Sequence, residues 1–284
     1  MRLSDFDHSR GSVAMTLPQH ASFTGSIPAF YDRHLGPVLF EPYARDLARR
    51  MPTQDGVRIL ETACGTGTAT RRILERLPAK ASVVATDLNP GMLDHARASL
   101  GKDARVEWRA ADAQQLPFPD ASFDAVAMQF GIMFVPDKPL ALREARRVLK
   151  PGGRFVFSAW DSFDRNSFGR ITHDVVRSVF PEDPPTFYLT PFGDHDRAEH
   201  EKRARAAGFG DVKTEGVGFE SMSESAEHFA MGLVRGNPVA LAITDRGTVT
   251  HEEVEKRVAE VLRRELGDRP VRASLHAWVV TATA

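Results

Sequence analysis

Between Val57 and Ser158 the chain alternates short β-branched and apolar runs with stretches of helical periodicity, and this alternation restricts the fold more than any other feature. Strands separated by helices pair in parallel, because a helical crossover returns the chain to the same end of the sheet. Candidate strands cover residues 57–60, 82–86, 106–109, 123–128 and 154–159. Ala69, Ile73 and Leu77 recur at helical spacing, as do Met92, Ala96 and Leu100, so each set gives one apolar helix face to lay on a sheet. Asp137 can cap a third helix with Leu140, Ala141, Ala145, Val148 and Leu149 inward, stopped by Pro151, Gly152 and Gly153. The expectation is an α/β fold built on a parallel sheet.

The flanks read differently. Residues 1–20 carry charges where a signal peptide needs its apolar centre, and are expected to be a disordered tail. Residues 21–55 predict a helical cap, one or two helices broken at Pro37 and Pro42. The core spans 56–160. Residues 161–195 predict a lid insertion whose helix turns Phe168, Ile171, Val175 and Val179 to one side. Residues 196–284 are expected to complete the sheet, with a helical insertion at 221–270. There Thr250 and Glu253 form a capping-box pattern, and Gly267 closes the helix.

A net charge of −1 supplies no field for polyanions, so nucleic acid is not an expected partner. Cys64, the only cysteine, excludes an internal disulfide and a cysteine zinc site, and points to a reducing, cytoplasmic location. It reads as a small packing residue. No apolar stretch reaches the roughly 18–20 residues of a membrane span, and His195 with His200 lacks the further ligands of a metal site. No metal is expected.

The stretch "ETACGTGTAT" (61–70) joins the first strand to a helix. A strand, a glycine turn and a helix N-terminus bring backbone N–H groups and the positive helix end together. Gly65 and Gly67 let a ligand approach the backbone, since neither carries a Cβ. Asp87 closes the second strand, 20 residues after Gly67, where a carboxylate can accept from both ribose hydroxyls of a nucleoside. This spacing fits a nicotinamide dinucleotide or S-adenosylmethionine. Two residues favour the latter: Thr70 replaces the third glycine of the dinucleotide motif, and the Glu61 carboxylate would repel a pyrophosphate but attract an ammonium. Asp112, after the third strand, is positioned to accept from an adenine amine.

"VRILETACGTGTATRRI", "VVATDLNPGMLDHAR", "WRAADAQQLPFPDASFDAVAMQFGIMF" and "EARRVLKPGGRFVFSAW" resemble, in order, the motifs of the class I S-adenosylmethionine-dependent methyltransferases, in the branch of ubiquinone and menaquinone biosynthesis. The resemblance implies a doubly wound, Rossmann-like sheet of seven strands with the last antiparallel, plus N-terminal helices and a helical lid. It also implies that Glu61, Ala63, Gly65 and Gly67 surround the methionine part of the cofactor. Asp87 would hold the ribose, with Leu88 and Met92 against the adenine face and Asp112 with Ala113 at its edge. Gln129 and Phe130 would lie beside the sulfonium.

Methyl transfer is an in-line displacement that needs alignment and exclusion of water more than a catalytic side chain. A hydroxyl acceptor would gain from a general base, and His173 and His195 in the covering region are the candidates, with His34 a further histidine there. Tyr31 is a candidate cofactor contact, and Tyr188 lies in the same covering region. Nine aromatic residues fall between Phe155 and Phe192, so the lid can line an apolar or aromatic acceptor site. The expected function is methylation of a small acceptor at O, C or N, by a monomer or homodimer. Two alternatives stand beside it: an NAD(P)-dependent oxidoreductase, and a non-catalytic protein that keeps the cofactor pocket.

Overall fold

A computed structural model describes residues 19–284. The expected tail lies outside the described residues except for Gln19 and His20, which belong to a 3-10 turn, Gln19–Ala21.

Among the described residues seven strands form one sheet: β1 (Arg58–Glu61), β2 (Ser82–Asp87), β3 (Val106–Ala110), β4 (Phe123–Gln129), β5 (Leu149–Trp160), β6 (Val212–Ser223) and β7 (Val271–Thr283). Their order is β3-β2-β1-β4-β5-β7-β6. β1 to β5 are parallel, and β7 runs antiparallel to both β5 and β6. The reversed last strand is the one the sequence resemblance implies.

Side chains alternate between the two faces with the strand period of two. Ile59, Val83 and Ala125 enter one core, and Leu60, Val84 and Val126 the other. With both faces covered, the middle of a central strand must be apolar, as Ile59 and Leu60 are in β1, and the strand then ends in the buried Glu61.

The helices in chain order are α1 (Ile27–Phe30), α2 (Glu41–Arg50), α3 (Thr68–Leu74), α4 (Pro90–Leu100), α5 (Lys138–Val148), α6 (Ser167–Val179), α7 (Leu189–Gly193), α8 (Arg197–Ala206), α9 (Ala226–Arg235), α10 (Val239–Arg246) and α11 (His251–Leu266). The chain steps outward from β1 through β2 to β3, then returns to the other side of β1 for β4 and β5. At this reversal the loops leaving β1 and β4 diverge, and a crevice opens at the carboxyl ends of the strands.

Two local expectations are corrected. The N-terminal helices are not broken at Pro37 or Pro42. Pro42 is the second residue of α2 and Pro37 sits in ten residues of π-helix, Tyr31–Phe40, that join α1 to α2; each forgoes one backbone N–H bond without ending the helix. There the backbone widens to i→i−5 bonds, as from the Glu41 N–H to the Gly36 carbonyl. The Pro151-Gly152-Gly153 stop is not a separate loop either. α5 ends at Val148, Leu149 already pairs with Phe123, and pairing resumes at Ala125 with Arg154, so the glycines form a bulge inside β5. In α11 both halves of the capping box are present.

Candidate functional site

The crevice over β1 and β4 spans about 770 Å³ of empty space, part of it open to solvent. Each strand end contributes to its wall. From β1 come Ala63 and Gly65, from β2 Asp87 and Leu88, with Met92 one turn into α4. From β3 come Asp112 and Ala113, from β4 Gln129 and Phe130, and Tyr31 reaches in from the π-helix. An adjoining recess of about 310 Å³ shares Tyr31, Ala63, Gly65 and Gln129 and adds Glu61. Eleven of the twelve residues expected to hold the cofactor therefore converge.

Gly67 does not join them. It stands at the N-cap of α3 with φ +83°, and a Cβ there would come within 2.8 Å of Leu100 and 3.2 Å of Ala96. Its missing side chain lets the start of α3 lie against Leu100 and Ala96 of α4, so helix packing accounts for the glycine whether or not its backbone also meets a ligand.

Asp87 is buried and holds two loops at once. Its Oδ2 accepts the Gly65 N–H at 2.8 Å and its Oδ1 the Asn89 N–H at 2.8 Å. Burial pushes its pKa up, and these N–H donors oppose the rise. Oδ1 also takes the Asn89 side-chain amide at 3.4 Å, whereas Oδ2 keeps a further lone pair for a ligand hydroxyl.

Glu61 is 1% exposed, and its Oε2 has no hydrogen-bond partner. Burial raises its pKa to about 8; Thr70 opposes that shift and the Asp87 charge adds to it. The Gln129 amide donates to the Phe40 carbonyl at 3.1 Å, which leaves its buried Oε1 without a partner. An ammonium in the recess would draw off the proton that burial leaves on Glu61 and pair with the carboxylate, and Gln129 Oε1 offers it a second acceptor. A pyrophosphate could form no such charge pair with Glu61 and has no N–H to give Gln129 Oε1, so the geometry favours the ammonium over the dinucleotide.

Ala63 and Phe130, which follow β1 and β4, both adopt φ +54°. Non-glycine residues occupy this region at a cost, and such strain gathers where a loop must present its backbone to a ligand. Phe130 is held by stacking on Trp160, with ring centroids 4.1 Å apart, and by its N–H on the Ser158 carbonyl.

A second cavity of about 450 Å³ shares Phe23, Tyr31, Phe130 and Phe134 with the first. Its remaining wall is apolar apart from Tyr188, Asn237 and the Trp160 indole. Helices α6 and α7 supply Phe168 and Phe192, the π-helix Leu35, Leu39 and Phe40, and α9 Leu233. The aromatic run of the lid region thus lines a site as well as its own core.

Neither candidate base reaches these cavities. α6 turns Phe168, Ile171 and Val175 inward, which leaves His173 on the flank, stacked on Phe163 at 5.5 Å, its pKa lowered by burial. His195 is exposed, its Nδ1 on the Phe192 carbonyl at 2.8 Å. His34 is buried against His228 with its pKa lowered to about 4, chiefly by burial. Among the described residues no three His, Cys, Asp or Glu side chains gather closely enough to hold a metal, and no helix is long and apolar enough to cross a membrane.

Several lining residues carried no sequence signal. Phe23 lies outside any periodic segment, yet its N–H donates to Asn89 Oδ1 at 3.1 Å and its ring enters both cavities. Leu233 and Asn237 lie some 200 residues beyond Tyr31, and only the tertiary fold brings them to one wall.

Residues 60–157 match the methyltransferase domain family. The ubiquinone/menaquinone biosynthesis C-methyltransferase UbiE of Paracoccus denitrificans is 37% identical over 175 residues, 56% of this chain and 69% of that protein. The demethylmenaquinone methyltransferase of Clavibacter sepedonicus is 48% identical over 101 residues, 36% of this chain and 40% of that protein. For most of the curated relatives it matches first, the chain spans about half their length or less. Phosphoethanolamine N-methyltransferase 2 of Haemonchus contortus, solved with S-adenosyl-L-methionine, shares the fold at TM-score 0.57 and 20% identity, over 90% of this chain and 56% of that one. The chain belongs to the class I S-adenosylmethionine-dependent methyltransferases, in the branch of the ubiquinone/menaquinone biosynthesis enzymes.

Proposed function

We propose that the protein transfers a methyl group from S-adenosylmethionine to a ring carbon of a small, electron-rich aromatic acceptor of the hydroquinone type. The observation that carries this reading is the wall of Phe23, Tyr31, Phe130 and Phe134 common to the two cavities, which sets an aromatic-lined chamber beside the cofactor crevice. An aromatic wall favours a flat apolar ring over a charged or phosphorylated acceptor, whose desolvation it could not repay. The C-methyltransferase names of the relatives support carbon as the methylated atom.

S-adenosylmethionine supplies an electrophilic methyl group on a positively charged sulfur. Glu61 and Gln129 would hold its ammonium, Asp87 its ribose hydroxyls, Leu88 and Met92 the adenine face, Asp112 and Ala113 the adenine edge. Ala63 and Gly65 would line the methionine part, with Tyr31 and Phe130 between donor and acceptor. Tyr31 and Tyr188 are poor bases near neutral pH. Burial raises both phenol pKa values, with the charges of Asp87 and Asp32 adding to the rise at Tyr31. The protein's residues therefore align and desolvate an acceptor that brings its own nucleophile.

Labelled methyl transfer onto a panel of alkyl hydroquinones, phenols and amines tests this. Label on the ring carbon of hydroquinones is the expected result. Label on amines alone would overturn the acceptor class, and calorimetric cofactor binding without transfer to any acceptor would favour the non-catalytic alternative.

A further inference from the structure

The acceptor cavity has few polar side chains, and two of them are tied together. The Tyr188 hydroxyl donates to the Leu233 carbonyl at 2.6 Å and accepts an N–H of Asn237 at 3.3 Å. The Asn237 amide nitrogen also donates to the Leu233 carbonyl, at 3.1 Å. That carbonyl can only accept, so it fixes which end of the Asn237 amide is nitrogen and which is oxygen.

Both N–H donors of Asn237 are thus engaged, and its Oδ1 has no hydrogen-bond partner among the described residues. Asn237 is only 7% exposed and lines the cavity. An acceptor oxygen at an apolar wall, fixed in direction by its own amide, selects for a donor on whatever fills the space. Asn237 also belongs to the part of the wall that the cofactor crevice does not share. A group meeting it is remote from the donor side.

We infer that Asn237 Oδ1 accepts a hydrogen bond from a ring hydroxyl of the methyl acceptor, on the edge remote from the methylated position. This rests on the proposed function above. Asn237 is then the residue that selects dihydroxylated rings over rings lacking the remote hydroxyl, and Tyr188 and Leu233 position it. No proton moves to Asn237 in the reaction; the residue orients the ring.

The test compares kcat/KM for an alkyl hydroquinone and for the same ring without the remote hydroxyl, in wild type, Asn237→Leu and Tyr188→Phe. Wild type is expected to favour the dihydroxylated ring by about tenfold or more, the worth of one good hydrogen bond in a dry site. Asn237→Leu should lose that preference, chiefly through KM for the dihydroxylated ring, while Tyr188→Phe, which leaves the Leu233 carbonyl to hold the amide, should reduce it only in part. Asn237→Ala carries the same expectation should the leucine variant be insoluble, and calorimetric binding of S-adenosylmethionine reports that either variant is folded. An Asn237→Leu enzyme that slows both acceptors equally, with the preference intact, would reduce Asn237 to a structural role and overturn the inference. Wild-type enzyme that methylates neither ring would overturn the proposed function, and the inference with it.

Discussion

Asp87 accepts the Gly65 N–H at 2.8 Å, so the residue that ends β2 holds the turn that ends β1. The two loops are coupled before any ligand arrives, and one carboxylate serves both folding and binding. Asp87→Ala would orphan the Gly65 and Asn89 amides as well as any ribose hydroxyl. We expect cofactor affinity to weaken by about 1–3 kcal/mol, with a stability loss of similar size. Calorimetric titration with S-adenosylmethionine, alongside urea unfolding, checks both; unchanged affinity would remove Asp87 from the cofactor site.

Glu61 gives a prediction with a definite sign. Its folded-state pKa of about 8 lies above the value of an unfolded-chain carboxylate, so the folded protein holds a proton that the unfolded chain releases. Between the two values stability falls as pH rises, and above about pH 8 the full cost of a buried carboxylate is in place. Glu61→Gln lacks that titration. Urea unfolding at about pH 5 and about pH 8.5 should show the wild type losing stability relative to Glu61→Gln as pH rises. The same variant should bind S-adenosylmethionine about tenfold or more weakly, because Glu61 can release its proton and pair with the ammonium as a carboxylate, which the glutamine amide cannot. Parallel pH profiles for the two proteins would contradict the buried-acid assignment.

His173→Ala and His195→Ala should both retain wild-type turnover. His173 stacks on Phe163 and His195 is exposed against the Phe192 carbonyl, and neither lines the crevice or the aromatic chamber. Steady-state kinetics on each variant, with an acceptor the wild type methylates, is the measurement. A selective drop in kcat for either would mean that the lid rearranges to bring an imidazole to the acceptor.

How much of this was legible from residues alone follows from the distances involved. The cofactor wall is built by strand ends and the turns after them, so Gly65, Asp87, Asp112 and Gln129 announce themselves by position relative to a periodic run. The acceptor wall comes from segments far apart in the chain. Phe23, Leu35, Phe168 and Asn237 meet only because the π-helix, α6 and the loop after α9 close over β4 and β5, and no local pattern encodes that meeting. The apolar face of α6 was legible and already left His173 off it; what the sequence did not show is which side of that helix the cavities lie on, and His173 lines neither. Pro37 misled for a related reason, since proline breaks an α-helix but a π-helical segment accommodated it.

The two glycines of the turn should separate in experiment, although the sequence gives them one role. Both have positive φ, +57° at Gly65 and +83° at Gly67, so alanine at either incurs about 1–2 kcal/mol of backbone strain. Beyond that they differ. A Cβ on Gly65 meets nothing within 4 Å and Gly65 lines the crevice, so Gly65→Ala sets its methyl where a ligand would lie. It should fold with that modest strain and lose cofactor affinity by about tenfold or more. A Cβ on Gly67 would press on Leu100 and Ala96, so Gly67→Ala must turn the Leu100 side chain aside and shift Ala96 slightly, and should lose about 2–3 kcal/mol of stability from strain and overpacking together. Its folded fraction should bind the cofactor with nearly wild-type affinity. Thermal melts and calorimetry on both variants decide it: a Gly67→Ala protein that melts like wild type but fails to bind would return Gly67 to the ligand and refute its assignment to helix packing.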